Sequence, residues 1–243
     1  EAWEALADPN IRVVAQIAPA VRVAVGDHYG LTKGKSVMGK IVNALHRMGF
    51  DEVYDTSFSA DLTIMEESAE FLDRIKKGEK LPLLTSCCPA WSVMAKKVFP
   101  KYANCISMAL TPMTLTARLI KKQHESAKVV FIGPCAAKKL EAMRTSIRSD
   151  VDFVLTFEEM AGIFDAKHVD IENIEEDPNG VNDASTDGRN FAVAGGVATS
   201  VKDVLKELKP DMEVKIANAE GLKECRQLLK LATLGKYDGY LLE

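Results

Sequence analysis

Short runs of apolar, β-branched residues alternate along the chain with stretches whose apolar positions recur every three or four residues. IRVVAQIAP (11–19) is continuous and apolar, the pattern of a strand buried on both faces, and it ends at Pro19. KSVMGKIVNALHRMG (35–49) has helical period and closes on Gly49, and EVYDTS (52–57) returns to a short strand. SADLTIMEESAEFLDRIKKG (59–78) predicts a long helix, capped by Ser59 or Asp61 and stopped at Gly78. LPLLTS (81–86) predicts a strand, PAWSVMAKKVF (89–99) a helix with Pro89 in its first turn, and TPMTLTARLIKKQH (111–124) another helix.

The pattern then restarts. AKVVFIGP (127–134) and DFVLT (152–156) predict strands, and FEEMAGIFDA (157–166) a helix. FAVAGGVATSVKDVLKEL (191–208) predicts a strand, a glycine turn and a helix. EVKIAN (213–218), GLKECRQLLKLATLG (221–235) and YDGYLLE (237–243) predict strand, helix and strand. Between them, residues 171–190 are polar and rich in glycine, proline and asparagine, which predicts a loop, and loops of that length are usually functional or mobile. This alternation implies an α/β fold: two lobes, each a mostly parallel twisted sheet flanked by helices, with an active-site cleft between them. The restart near residue 125 sets the expected division at 1–125 and 126–243.

Composition narrows the function classes. The chain has 243 residues, 47% hydrophobic and 27% charged, with a formal charge of −4. A weakly acidic chain offers no electrostatic case for nucleic acid or an anionic membrane. No apolar run approaches the ~20 residues of a membrane-spanning helix. The opening EAWEALADPN is not a signal peptide and begins in mid-helix character, as expected of a piece of something longer. Five cysteines at irregular spacing, without a secretion signal, speak against a disulfide framework and for a reducing cytoplasm.

Three loops leave three strands at the edge where open α/β sheets collect ligands: QIAPAVR, LLTSCCPAW and FIGPCAAKK. Cys88 and Cys135 each stand beside a proline there. With no CxxC pair to mark a cluster, two structural cysteines explain that placement as well as two metal ligands do. Lys138 and Lys139 follow Cys135 by about one turn. A cation there lowers a thiol pKa and neutralises an anionic cofactor, while a solvated lysine pair is the ordinary alternative. Glu67, Glu70 and Arg74 lie at i, i+3 and i+7 on one helix face, either a solvated charged stripe or a proton wire.

Together these segments resemble the catalytic domain of the [FeFe], or iron-only, hydrogenases. TSCCPAW resembles that family's first signature motif and PCAAKKLE its second. QIAPAVRVAVGDHYG and DTSFSADLTIMEESAEFL are similar to the domain's opening. The resemblance implies a cofactor, the H-cluster, in which a [4Fe–4S] cubane is joined to a diiron unit bearing CO, cyanide and azadithiolate. It implies that Cys88 and Cys135 are cubane ligands and that Cys87 is the proton-carrying thiol. Lys138 would hold one cyanide, and Ala18 and Pro19 would offer backbone groups to another. Glu67, Glu70, Arg74 and Ser107 would form the proton path, and Phe191 would pack near the diiron unit. The implied reaction is the reversible reduction of protons to dihydrogen. Electrons would come from ferredoxin or accessory iron–sulfur domains, and the cofactor from cluster-maturation proteins.

The sequence departs from the family pattern in places. The third motif, which carries the last two cubane cysteines, is expected to follow YDGYLLE. The chain as it stands is therefore expected to hold an incomplete H-cluster and to be inactive alone. Neither Cys105 nor Cys225 sits in a matching context. Gly133 stands where many members have methionine, and Thr111 and Met113 where many have serine and glutamine. The competing readings are a hydrogenase-like protein of iron–sulfur assembly, a hydrogen sensor, and an α/β binding domain with structural cysteines. Cys87 together with the Glu67–Glu70–Arg74 stripe favours the enzyme.

Overall fold

The computed structural model describes every residue except Lys80, Asn179, Gly180 and Asn182. In chain order the elements are α1 (Ala2–Ala7), β1 (Val13–Ile17), α2 (Val21–His28), α3 (Met38–Arg47), β2 (Glu52–Asp55), α4 (Ser57–Lys77), β3 (Leu83–Leu84), α5 (Pro89–Val98) and α6 (Pro112–Gln123). There follow β4 (Lys128–Gly133), α7 (Ala137–Ala142), β5 (Phe153–Thr156), α8 (Phe157–Ala166), α9 (Thr186–Arg189), α10 (Gly196–Leu208), β6 (Lys215–Ala217), α11 (Leu222–Ala232) and β7 (Tyr240–Leu242). The α/β class expected from the alternation is what forms.

The division of the chain differs from the expected one. Unit 1 comprises Glu1–Phe58 and Met113–Ala184, and unit 2 comprises Ser59–Pro112 and Ser185–Glu243. The expected break near residue 125 falls inside unit 1. The reason is strand pairing: β4 is hydrogen-bonded to β1, with Val13 opposite Lys128 and Ile17 opposite Ile132. A segment that starts the second half of the sequence therefore completes the sheet begun by the first.

Unit 1 holds a four-stranded parallel sheet in the order β2-β1-β4-β5. All five residues of β1 are buried, as are the last five of β4, which explains their continuous apolar runs. Val21 and Val25 of α2, Ile41 and Leu45 of α3, and Met160 and Phe164 of α8 pack with them into one core. The chain leaves β1 and β4 side by side at their carboxyl ends, where the Ala18 N–H donates to the Ile132 carbonyl at 2.8 Å. The loops at Ala18–Pro19 and Pro134–Cys135 are thus neighbours at the place where the strand order reverses.

Unit 2 holds a three-stranded parallel sheet, β3-β7-β6. Leu83 and Leu241 pair across it and share a core with Ile64 and Phe71 of α4 and with Val201 and Leu205 of α10. A second core gathers Leu84, Trp91, Ala95 and Tyr102 under Leu228 and Leu229 of α11.

Three local expectations are corrected. α4 begins at Ser57 rather than at Ser59 or Asp61, because the Asp55 carboxylate accepts the Ser57 N–H at 2.9 Å and starts the helix earlier. No strand forms at 191–195: residues 190–192 make a tight 3-10 turn, and Gly195 adopts φ +77° to open α10. The loop expected over 171–190 ends in α9, whose N-cap Ser185 accepts the N–H groups of Asp187 and Gly188. Its Asn179, Gly180 and Asn182 lie outside the described residues.

The turn before α10 tests this packing. A Cβ on Gly196 would stand 1.9 Å from the Asn190 carbonyl oxygen, whereas one on Gly162 in α8 would meet nothing within 4 Å. Urea denaturation of Gly196→Ala should show a loss of about 2 kcal/mol or more. Gly162→Ala should gain roughly 0.5–1 kcal/mol, since alanine narrows the unfolded ensemble and suits a helix.

Candidate functional site

Each unit carries its own share of the sequence-singled residues. In unit 2 they converge on α4. Ile64, Glu67, Phe71 and Arg74 repeat every three or four residues and occupy one buried helix face. Glu67 is fully buried and Arg74 is 8% exposed, so the charged stripe is not a solvated surface. Glu67 Oε1 accepts the Ser86 N–H at 2.9 Å and the Ser86 hydroxyl at 3.3 Å, while its Oε2 has no hydrogen-bond partner among the described residues. Ser86 directly precedes Cys87.

Ser107 lies beside β3, where its N–H donates to the Leu84 carbonyl at 2.7 Å. Its hydroxyl donates to Glu70 Oε2 at 2.8 Å and is also near enough to Glu67 to favour that carboxylate's anion. One hydroxyl proton serves one acceptor at a time. With the proton directed at Glu70, Glu67 Oε2 is the open end of the series. Glu70 in turn accepts two N–H bonds from Arg74, at 3.0 and 2.6 Å, and the Met108 N–H at 2.9 Å. The remaining arm of Arg74 donates to the Asn104 carbonyl at 2.9 Å. A carboxylate, a hydroxyl, a second carboxylate and a guanidinium therefore follow one another in hydrogen-bonding order.

Burial dominates the protonation of Glu67. Removal from water disfavours its anion and outweighs the Ser86 and Ser107 hydrogen bonds, and the charge of Glu70 adds to the effect. Its pKa rises from the ordinary 4.5 to about 7. Near neutral pH it exists in both forms, which is what a proton carrier requires.

The cysteines of unit 2 sit at the carboxyl end of β3. Cys88 is exposed and caps α5 in an extended conformation, ahead of Pro89 at the first helical position. Cys87 is half-buried. Adjacent residues at a strand-to-helix junction point in different directions, which explains two environments for two neighbouring thiols. Phe191, in the turn before α10, packs on the core of Ile64 and Phe71.

In unit 1, Cys135 is exposed just beyond β4. The Ala137 N–H points at its sulfur at 3.4 Å. Lys138 Nζ is 2.8 Å from Glu141 Oε2, and Glu141 is 1% exposed. Glu141 closes the PCAAKKLE segment, but the sequence reading gave it no role. Its position three residues after Lys138, at helical spacing, was the signal available. Ser86 was also missed, because a serine before a cysteine carries no mark of its own. Ala18 and Pro19 are buried beside the same loop, but their backbone differs from expectation. The Ala18 N–H is used by Ile132, Pro19 has no N–H, and the Pro19 carbonyl accepts Arg22 Nε at 3.1 Å. Neither residue has a free backbone donor for a ligand. Gly133 is explained by its neighbour: the Phe131 ring fills the space, coming within 2.3 Å of where a Cβ would be.

A model of the iron only hydrogenase large subunit, C-terminal domain, matches residues 11–243. The chain belongs to this family. This hydrogenase-family domain is similar to the NADP-reducing hydrogenase subunit HndD of Solidesulfovibrio fructosivorans, with which it shares 38% identity over 92% of its length. It spans 42% of that relative. It is also similar to the cytosolic Fe-S cluster assembly factor narfl of Danio rerio, at 29% identity over 68% of the chain and 45% of the relative. Among solved structures, apo [FeFe]-hydrogenase HydA1 from Chlamydomonas reinhardtii superposes with a TM-score of 0.78 at 25% identity, covering all of this chain and 80% of that one.

An iron–sulfur cofactor must fit the donors this hydrogenase-family domain presents. Cys88 and Cys135 are free, exposed thiols beside prolines, suited in chemistry to iron, and Lys138 supplies a cation for an anionic group. A cubane takes four cysteine thiolates. Among the described residues no group of three or more His, Cys, Asp or Glu side chains is arranged to hold a metal. Each unit thus presents a thiol of the donor type that such a cluster takes. Among the described residues no helix is long and apolar enough to cross a membrane.

The raised pKa of Glu67 has a consequence for stability. The folded state binds this proton more tightly than the unfolded chain, so the stability that Glu67 contributes is fully present below about pH 4.5 and is lost as pH rises through about 7. Glu67→Gln cannot ionise. Its melting temperature relative to the native protein should therefore rise progressively between pH 4.5 and 7 and level off above. Calorimetric melts across that range check this, and a pH-independent difference would contradict the assigned burial cost.

Proposed function

We propose that this chain is the catalytic domain of an [FeFe]-hydrogenase that interconverts protons and electrons with dihydrogen at an H-cluster. The observation that supports this most is the buried series Glu67, Ser107, Glu70 and Arg74, running from the residue before Cys87 along α4. When bound, the H-cluster supplies the redox and hydride chemistry. Cys88 and Cys135 are the chain's own ligands for the cubane, and Lys138 pairs with an anionic ligand of the diiron unit. Cys87 is the thiol that exchanges a proton with the cofactor.

The remaining residues hold and move that proton. Glu67, poised near neutrality, takes it up. The Ser107 hydroxyl accepts it from Glu67 while donating its own to Glu70, a rotation of one O–H. Arg74 holds Glu70 in place with two N–H bonds to Oε1, leaving Oε2 turned to the Ser107 hydroxyl. Electrons come from a ferredoxin or from accessory iron–sulfur domains, and maturation proteins install the cofactor. Five cysteines at irregular spacing support a reducing, cytoplasmic setting.

The likeness to a cluster-assembly factor supports a second reading, in which the domain carries clusters without turnover. Such a carrier has no use for a half-protonated glutamate buried behind its cysteine loop.

The two readings separate in one experiment. The full-length protein, matured anaerobically and loaded with iron, should evolve hydrogen from reduced methyl viologen. Cys87→Ser and Glu70→Gln should each retain the cubane, seen by electron paramagnetic resonance, and lose about 10²-fold or more in turnover. Full iron loading without hydrogen would overturn the enzyme reading.

A further inference from the structure

The turn that opens α10 is held by a residue from another element. α10 has no side-chain cap of its own, since its N-cap is Gly195 at φ +77°. The cap comes from Glu243, the residue after β7. Its Oε2 accepts the Ala198 N–H at 2.8 Å and its Oε1 the Gly195 N–H at 3.2 Å. The Val197 N–H also favours its anion, against the opposing effect of burial. A carboxylate here satisfies orphan donors and complements the helix dipole. The Glu243 backbone is fixed as well. Its N–H donates to the Ala217 carbonyl and its carbonyl accepts the Ala219 N–H, both at 3.0 Å. On the other side of β7, the Thr85 N–H donates to the Leu242 carbonyl at 2.9 Å, and Ser86, Cys87 and Cys88 follow Thr85 directly.

The turn itself has little slack. A Cβ on Gly195 would stand 2.8 Å from Asn218 Nδ2, and Gly196 packs on the Asn190 carbonyl. Phe191 meets the core of Ile64 and Phe71 on one side yet is only half-buried, and Val193 is 59% exposed. An aromatic ring with an open side, on a turn tied to the cysteine-bearing strand edge, is placed to wall a pocket.

We propose that Glu243 is a positioning residue for the cofactor pocket: its carboxylate locks the turn 190–195, and with it Phe191, to the strand edge that bears Cys87 and Cys88. The inference rests on the hydrogenase reading, in which Phe191 packs near the diiron unit. The origin of the cap separates this role from plain stabilisation. A cap from α10's own flank would fix the helix alone. Glu243 lies 45 and 48 residues beyond its partners, on the central strand of the sheet, so it fixes the helix relative to the cysteine loop. Glu243→Gln keeps the shape but replaces one acceptor oxygen by an NH2 group, which would face an N–H donor.

The test has two stages, both on the full-length protein. In the cluster-free form, hydrogen–deuterium exchange at Gly195, Val197 and Ala198 should quicken about tenfold in Glu243→Gln. Glu243→Asp, still an anion but one methylene short, should quicken it about threefold. Thr156→Ala removes the capping box of α8, a cap of the same kind in unit 1, and should leave exchange at 195–198 unchanged. In the cluster-loaded form, the infrared bands of the CO and cyanide ligands should shift or broaden in Glu243→Gln, and hydrogen evolution from methyl viologen should fall about tenfold at unchanged iron content. Thr156→Ala should leave both at native values. Should Glu243→Gln fail to fold, the same outcomes are read from Glu243→Asp. Unchanged exchange in the Glu243 variants overturns the lock. Faster exchange with native infrared bands and native turnover overturns the positioning role and leaves Glu243 a helix cap. An iron-loaded native protein with neither CO and cyanide bands nor hydrogen overturns the hydrogenase reading instead, while faster exchange in the variants still supports the lock on the cysteine loop.

Discussion

The parallel pairing of β1 with β4 is the constraint on which unit 1 depends. It joins segments more than a hundred residues apart in register, Val13 against Lys128 through Ile17 against Ile132. Because these strands are buried on both faces, a one-residue slip would turn every side chain into packing shaped for its neighbour. The pairing also brings two carboxyl-terminal loops side by side, one with Ala18 and Pro19, the other with Pro134 and Cys135. Arg22 secures the first loop through Asp55 and the Ser57 hydroxyl, and the Lys138–Glu141 pair lies directly behind the second. The chemistry of this unit is placed by its sheet.

In unit 2 the same job falls to a helix. The buried face of α4 mixes hydrophobes that hold the helix down with carboxylates that burial makes useful. Ile64 and Phe71 fix the face, and Glu67 between them loses its water and gains a proton affinity near neutrality. The fold tolerates this because Ser86, Ser107 and Arg74 supply most, though not all, of the hydrogen bonds that two carboxylates need. The unpartnered Glu67 Oε2 is the residual cost. Polar groups left incomplete in an otherwise well-packed core mark a functional site, and here the gap adjoins the cysteine loop.

Much of this was legible in the sequence for physical reasons. Continuous β-branched runs exist because β1 and β4 are covered on both sides, so they could be read as buried strands. Gly78 and Pro89 mark helix ends through local backbone chemistry. α2, by contrast, was missed. Its sequence VRVAVGDH is short and has no side-chain cap, and Val21 and Val25 are drawn into the core of unit 1. The strand expected at 191–195 failed for the opposite reason, since the close approach of Gly196 to Asn190 requires a tight turn.

By itself, the sequence determined the fold class, the family, and which residue types could carry chemistry, because periodicity, caps and motif spacing are local properties of the chain. Only the tertiary structure decided that the units interleave rather than follow one another, since strand pairing is a long-range choice. It decided that Glu67 is buried rather than solvated, that Ser107 hydrogen-bonds to Glu70, and that Ala18 has no backbone donor to spare. Spacing places Glu67, Glu70 and Arg74 on one face of a helix. Whether that face meets water or a core depends on what packs against it, and that is what sets a proton affinity.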